Sequence, residues 1–129
     1  MEKFLGRHSD IAYALLRFVS GALLTCHGAQ KILGLLGGPK ADQPLLLVAG
    51  VIELVGGLMI AIGLQAGWAA FIASGMMAVA YFMVHASGAF WPILNKGELA
   101  VLYCFVFLYI ATRGSGRFSV DDAMRRPRR

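Results

Sequence analysis

Charge is scarce in this chain. Of its 129 residues only 15% are Asp, Glu, Lys or Arg, while 58% are hydrophobic. Soluble domains carry ~25% charged and ~45–50% apolar residues, so the shortfall excludes an ordinary water-facing surface and requires an apolar solvent, the lipid bilayer. Redox cysteine motifs are missing too. Cys26 and Cys104 lie inside apolar runs without Cys-x-x-Cys spacing, which excludes an electron carrier working unaided. They read as small buried hydrophobes unless the first and last helices bring them together. The basic residues lack interleaved aromatics. Six of the twelve (Arg113, Arg117, Arg125, Arg126, Arg128, Arg129) crowd into the last seventeen positions with Phe118 as their only aromatic neighbour. No nucleic-acid partner is expected, and the tail reads as a flank drawn to anionic lipid. A removable signal is also lacking, because "MEKFLGRHSD" is too polar and the apolar run behind it carries Arg17. The first span is expected to stay uncleaved.

Sixteen glycines and four apolar runs fill the rest. Spans are predicted at about 11–33, 44–64, 66–85 and 97–112. The third is the clearest, with no charged residue for nineteen positions from Ala66 to Val84, enough to cross ~30 Å of hydrocarbon at ~1.5 Å per residue. Only Glu53 interrupts the second, Glu98 opens the short fourth, and the first holds Arg17, His27 and Lys31. Three spans would leave the two basic ends on opposite sides; four leave them on one. "GLLGGPKADQP", "GLQAG" and "SGAFWPILNKG" supply the turns. Lys3, Arg7 and the tail outweigh Lys40 and Lys96, so the positive-inside rule puts both termini in the cytoplasm. The predicted fold is all-α: a polytopic membrane four-helix bundle over residues 1–113 with a basic cytoplasmic tail, 114–129. Trp68 and Trp91 then fall near opposite interfaces.

A lysine in hydrocarbon costs roughly 2.5–3.5 kcal/mol on insertion scales, so Lys31 needs a reason to be there. Arg17, Ser20, Gly21, Leu24, His27, Gly28 and Lys31 follow helical spacing and form one stripe, expected to face other helices. Glu53 has Gly50, Gly56 and Gly57 about it, which lets a neighbour pack closely. Tyr81 and His85 share a face of the third helix, and Glu98, Leu102, Phe105 and Tyr109 a face of the fourth. Orientation and depth predict one outer pocket gathering His27, Lys31, Glu53, Tyr81, His85 and Glu98. Within it the lysine and two carboxylates balance each other. Arg17 lies towards the inside, where it snorkels or caps a neighbouring helix. Met59, Met76, Met77 and Met83 are packing or lipid-facing material, and no metal site is expected.

These residues resemble the DoxX family of small four-helix membrane proteins. The matching features are Arg17, "HGAQK" (His27, Gly28, Lys31), "ELVGGLMIAIGL" (Glu53, Gly56, Gly57, Gly63) and His85. They continue in "GE" (Gly97, Glu98) and "GSGRFSVD" (Gly114, Gly116, Ser119, Asp121). The resemblance implies an oxidoreductase-associated subunit of a bacterial inner membrane, linked in relatives to quinones or thiol redox. Distant relatives are cargo receptors or assembly chaperones. A quinone is the candidate ligand: His27 and His85 would meet a ring carbonyl, with Tyr81 as a further donor. Glu53 or Glu98 would exchange protons, and Lys31 would hold the carboxylates. Electrons must then come from a protein partner or bound cofactor. The alternative is a scaffold or chaperone whose polar network is structural. Bis-histidine haem b at His27 and His85 is not expected, since bundle histidines are more often only hydrogen-bonded. Transport would need an oligomer.

Overall fold

A computed structural model describes residues 1–125; Arg126, Arg128 and Arg129 of the basic tail lie outside the described residues. Every regular element among the described residues is helical. Two short turns, Glu2–Leu5 and Gly6–His8, lead into α1, Ser9–Leu33. Then come α2, Pro44–Ile62, and α3, Ala66–His85. A single turn, Pro92–Asn95, precedes α4, Glu98–Arg113, and a short α5 closes the described chain at Val120–Arg125. The punctuation follows from residue chemistry. Pro44 occupies the first turn of α2, where its missing N–H has no partner to lose. Gly34 and Gly63 end α1 and α2 in left-handed caps.

Neither α2 nor α3 is regular throughout. Each contains a π-helical stretch, Ile52–Gly56 in α2 and Tyr81–His85 at the end of α3. Such widened turns re-aim the side chains they carry, and they recur at functional sites. Here they carry Glu53, Tyr81 and His85.

The helices pack in pairs. In the α1–α2 pair, glycine removes the spacing that side chains would impose. A Cβ at Gly21 would stand 2.5 Å from the Ala61 nitrogen, and one at Gly57 2.6 Å from the Thr25 nitrogen. In the α3–α4 pair, Ala66, Ala69, Ala70 and Ala73 of α3 form a shallow face for Tyr103, Phe107 and Ile110 of α4. The Tyr103 and Phe107 rings stack with centroids 5.3 Å apart. The two pairs join through the tight turn at residues 63–65, with α2 packed on α3.

Large apolar side chains cover the outside, among them Leu15, Phe18, Val48, Phe71 and Val79. A monomer in water does not carry such a surface; a chain in lipid does. Among the described residues three helices are long and apolar enough to cross a membrane: Glu2–Leu33, Pro44–Ile62 and Ala66–His85. With sixteen residues, α4 reaches only ~24 Å at ~1.5 Å per residue, short of a ~30 Å hydrocarbon core. Its predicted inner face is turned outward: Glu98, Leu102, Phe105 and Tyr109 are exposed. The alanine face of α3 accepts aromatic rings, so α4 rotates to bury Tyr103 and Phe107 instead. Cys26 departs from expectation in the same way, being exposed on α1, while Cys104 is half-buried with its Sγ 3.6 Å from Ser74 Oγ.

Candidate functional site

Lys31 and Glu53 meet across the α1–α2 seam. Gly50 makes the approach feasible, because a Cβ there would stand 2.9 Å from the Lys31 Cβ. With that space empty, the lysine stem lies over α2 and its ammonium reaches forward. Lys31 Nζ stands 2.5 Å from Glu53 Oε1, with the lysine side chain 31% exposed and the glutamate 4%. The second carboxylate oxygen, Glu53 Oε2, is buried and has no hydrogen-bond partner among the described residues. Three residues on, Gly56 is buried, yet a Cβ built on it would meet nothing within 4 Å. A larger side chain would therefore have room at Gly56, on the π turn that carries Glu53. Buried carboxylates ordinarily saturate their lone pairs, so a half-satisfied one is a site where something else can bind or a proton can reside.

A second cluster forms where α3 ends. Asn95 donates from Nδ2 to the Tyr81 hydroxyl at 3.0 Å and to the Ala89 carbonyl at 3.0 Å. Its Oδ1 accepts the Gly97 N–H at 2.8 Å. His85 Nδ1 lies 3.1 Å from the Asn95 carbonyl oxygen, and the Tyr81 and His85 rings stack. Gly97 leaves room for the tyrosine, since a Cβ there would stand 2.6 Å from Tyr81 Cε2. This cluster knits the loop before α4 onto α3. Asn95 was not among the residues singled out from sequence; an Asn just ahead of a helix start was the available signal.

The other two predicted residues are placed apart. His27 is exposed on α1, and Glu98 is exposed at the start of α4 in a groove with Trp91 and Lys96. Neither makes an ion pair among the described residues. His27 left the predicted stripe because close α1–α2 packing narrows the buried strip to Arg17, Ser20, Gly21, Leu24 and Gly28. His27 faces outward while His85 turns to Asn95, so this arrangement assembles no bis-histidine pair.

A third polar cluster lies at the opposite end of α1, around Arg17. Only 2% exposed, Arg17 does not snorkel. Its guanidinium donates to the carbonyls of Ser115 and of Phe118, the latter at 2.9 Å, so it caps the loop that leaves α4. The Tyr13 hydroxyl donates to the Gly114 carbonyl. Ser115 Oγ donates to Asp121 Oδ2 at 2.6 Å and accepts the Ala66 N–H at 3.1 Å. The Asp121 N–H reaches the Gly63 carbonyl at 3.2 Å, and Ser119 Oγ donates to the Gly116 carbonyl at 2.6 Å. Gly63 has φ +74° and packs against the Arg17 guanidinium and Ser119, so it must be glycine for both shape and space. On the rim, Arg113 donates to the Tyr109 hydroxyl and pairs with Asp10.

The Arg17 cap yields a prediction. Arg17→Met should destabilise the protein by about 2–4 kcal/mol, because two carbonyls lose charged donors. Amide exchange across residues 114–125 should accelerate at the same time. Unchanged exchange there would show that the loop does not depend on Arg17.

Helices of membrane length, an apolar exterior and an ion pair buried between the first two helices define a small multi-span membrane protein. More particularly, the chain belongs to the DoxX family, whose model, described as DoxX, matches residues 12–86. That stretch holds Arg17, Lys31, Glu53, Tyr81 and His85 but ends before Glu98 and the 114–121 segment. The chain is also 44% identical to an uncharacterized protein of Haemophilus influenzae over 126 residues, 92% of this chain and 94% of that relative. No solved structure matches it.

Proposed function

We propose that this protein is an oxidoreductase-associated subunit of a bacterial inner membrane, with a pocket at Lys31 and Glu53 that receives the polar head of a quinone. In this reading α4 completes a four-span bundle with both termini cytoplasmic. Ties between the start of α1 and the exit of α4 support the shared side: Asp10, just ahead of α1's apolar stretch, pairs with Arg113 and Arg117. The bacterial relative is in keeping with the location. One observation carries the ligand reading: Glu53 is buried and satisfied on one oxygen only, on a π turn where Gly56 leaves open space. The Lys31 ammonium would donate to a ring carbonyl, and the free Glu53 oxygen would exchange the proton that accompanies reduction. Electrons would come from a protein partner, since no side chain here stores them readily. Tyr81 and His85, braced by Asn95, would shape the far wall.

The test is direct. Purified protein should bind a short-chain ubiquinone with a rise in melting temperature, as any ligand selective for the folded state produces. Glu53→Gln should fold and lose that rise. Saturating quinone without any shift in the wild type would overturn the proposal.

A second reading is favoured by the close contact around the same pair. Gly28 and Gly57 already clamp α1 to α2 next to it, so the ion pair would fix helix register and the protein would scaffold a partner.

A further inference from the structure

We infer that the protein pairs with a second copy of itself through the groove between the Pro92–Asn95 turn and α4, about a two-fold axis along the membrane normal. The groove encloses about 1000 Å³, with Trp91, Ile93, Leu99, Leu102 and Phe105 among its walls. All five side chains are largely exposed. Apolar walls alone name no partner, because lipid tails suit them as well as another protein does. The charges in the groove are more selective. Lys96 and Glu98 are the only charged residues lining it, both are exposed, and neither makes an ion pair among the described residues. One cation beside one anion selects neither an anionic nor a cationic ligand. It selects a surface that offers the same two charges in the opposite order.

A second copy offers that surface. Copies of one chain cross a membrane the same way up, since the same flanking charges orient each of them. A two-fold axis along the normal therefore brings together residues of equal depth. Lys96 and Glu98 flank Gly97 at the entry of α4, at one level. About such an axis Lys96 faces Glu98 of the partner subunit, and Glu98 faces the partner's Lys96, so two ion pairs close with no charge left over. Below them Leu102 and Phe105 follow Glu98 at helical spacing, and one face of α4 carries the contact ~10 Å into the bilayer. The backbone that bears the charges is already fixed. Asn95 Oδ1 accepts the Gly97 N–H at 2.8 Å, and a Cβ at Gly97 would stand 2.6 Å from Tyr81 Cε2. Association then has little chain left to order. Helix length acts in the same direction. With sixteen residues α4 falls short of the hydrocarbon core, and a short span relieves that mismatch by oligomerising.

The experiment places the full chain, tagged with donor or acceptor fluorophores, in dioleoyl phosphatidylcholine vesicles and follows energy transfer as added lipid dilutes it. The wild type should behave as a dimer that dissociates on dilution. Lys96→Glu and Glu98→Lys each set like charges against one another, and each should weaken pairing roughly tenfold. Mixing these two variants should restore transfer between them, and the double variant Lys96→Glu/Glu98→Lys should pair like the wild type. Both positions are exposed, so every charge variant should purify as a single species in detergent. Phe105→Ala should weaken pairing while leaving both charges in place. A monomeric or trimeric wild type, or single variants that pair as well as the wild type, would overturn the interface. A mixture of the two variants that fails to recover transfer would overturn it too.

Discussion

Gly28→Leu is expected to abolish the folded protein. A Cβ at residue 28 would collide with the Leu54 backbone, standing 2.6 Å from its Cα and closer still to its nitrogen. Backbone cannot step aside as a flexible side chain can, so α1 must lift away from α2. Lifting it opens the Gly21 and Gly57 contacts and draws Lys31 off Glu53. Overpacking a core ordinarily costs about 1–3 kcal/mol, and here the obstacle is main chain rather than side chain. The loss should therefore exceed ~3 kcal/mol, a large share of the ~5–15 kcal/mol that holds a domain together. Gly75→Leu supplies the control, because a Cβ at Gly75 meets nothing within 4 Å. It should purify like the wild type from detergent as a single species, whereas Gly28→Leu should aggregate or fail to accumulate. A Gly28→Leu protein with wild-type melting would mean that α1 and α2 do not touch as described.

Helix positions were legible because hydropathy and punctuation act locally. The predicted 44–64, 66–85 and 97–112 agree within a few residues with Pro44–Ile62, Ala66–His85 and Glu98–Arg113. Charge did not obscure α1, since Arg17 and Lys31 are both paired rather than left in lipid. Rotation of each helix was less accessible. A periodic stripe gives a face of roughly 100°, and close packing between glycines uses only part of it. His27 lay on the edge of the stripe and ended outside. In α4 both faces are apolar, so periodicity could not choose between Leu102 with Phe105 and Tyr103 with Phe107. Complementarity with the alanines of α3 made that choice, and complementarity is not local.

The same limit applies to the site. Pairing of Lys31 with a carboxylate could be argued from energy alone, and Glu53 was the carboxylate with glycines about it. The two π turns could not. A single extra residue in a helical turn leaves no compositional mark, yet it aims Glu53, Tyr81 and His85 away from where 3.6-residue spacing puts them. The Arg17 cluster was half visible. "GSGRFSVD" stood out as a motif, but its partners Tyr13 and Arg17 lie about a hundred residues earlier, and only folding joins them.

Lys31→Met should destabilise the protein severely, and Glu53→Gln much less. Removing one member of a buried ion pair costs about 3–5 kcal/mol when the remaining charge cannot reach water. Glu53 is such a charge: its side chain is 4% exposed, and without Lys31 neither of its oxygens has a partner. Because the lysine side chain is itself 31% exposed, part of the attraction is screened, and a loss of about 2–4 kcal/mol is expected. The converse change is milder, because a neutral glutamine needs less solvation and Lys31 can swing its ammonium outward. Combining Lys31→Met with Glu53→Met should recover most of the lost stability, since two thioethers fill the seam without leaving a charge. Urea or thermal melts of the three variants in one detergent would measure this ordering. The double variant also separates the two readings of the pair. A protein that regains its melting temperature but no longer responds to quinone has lost a ligand site, not a fastening. If it regains stability and still shows the quinone-induced rise in melting temperature, the pair was a fastening alone. Equal destabilisation by Lys31→Met and Glu53→Gln would contradict the burial asymmetry on which both readings rest.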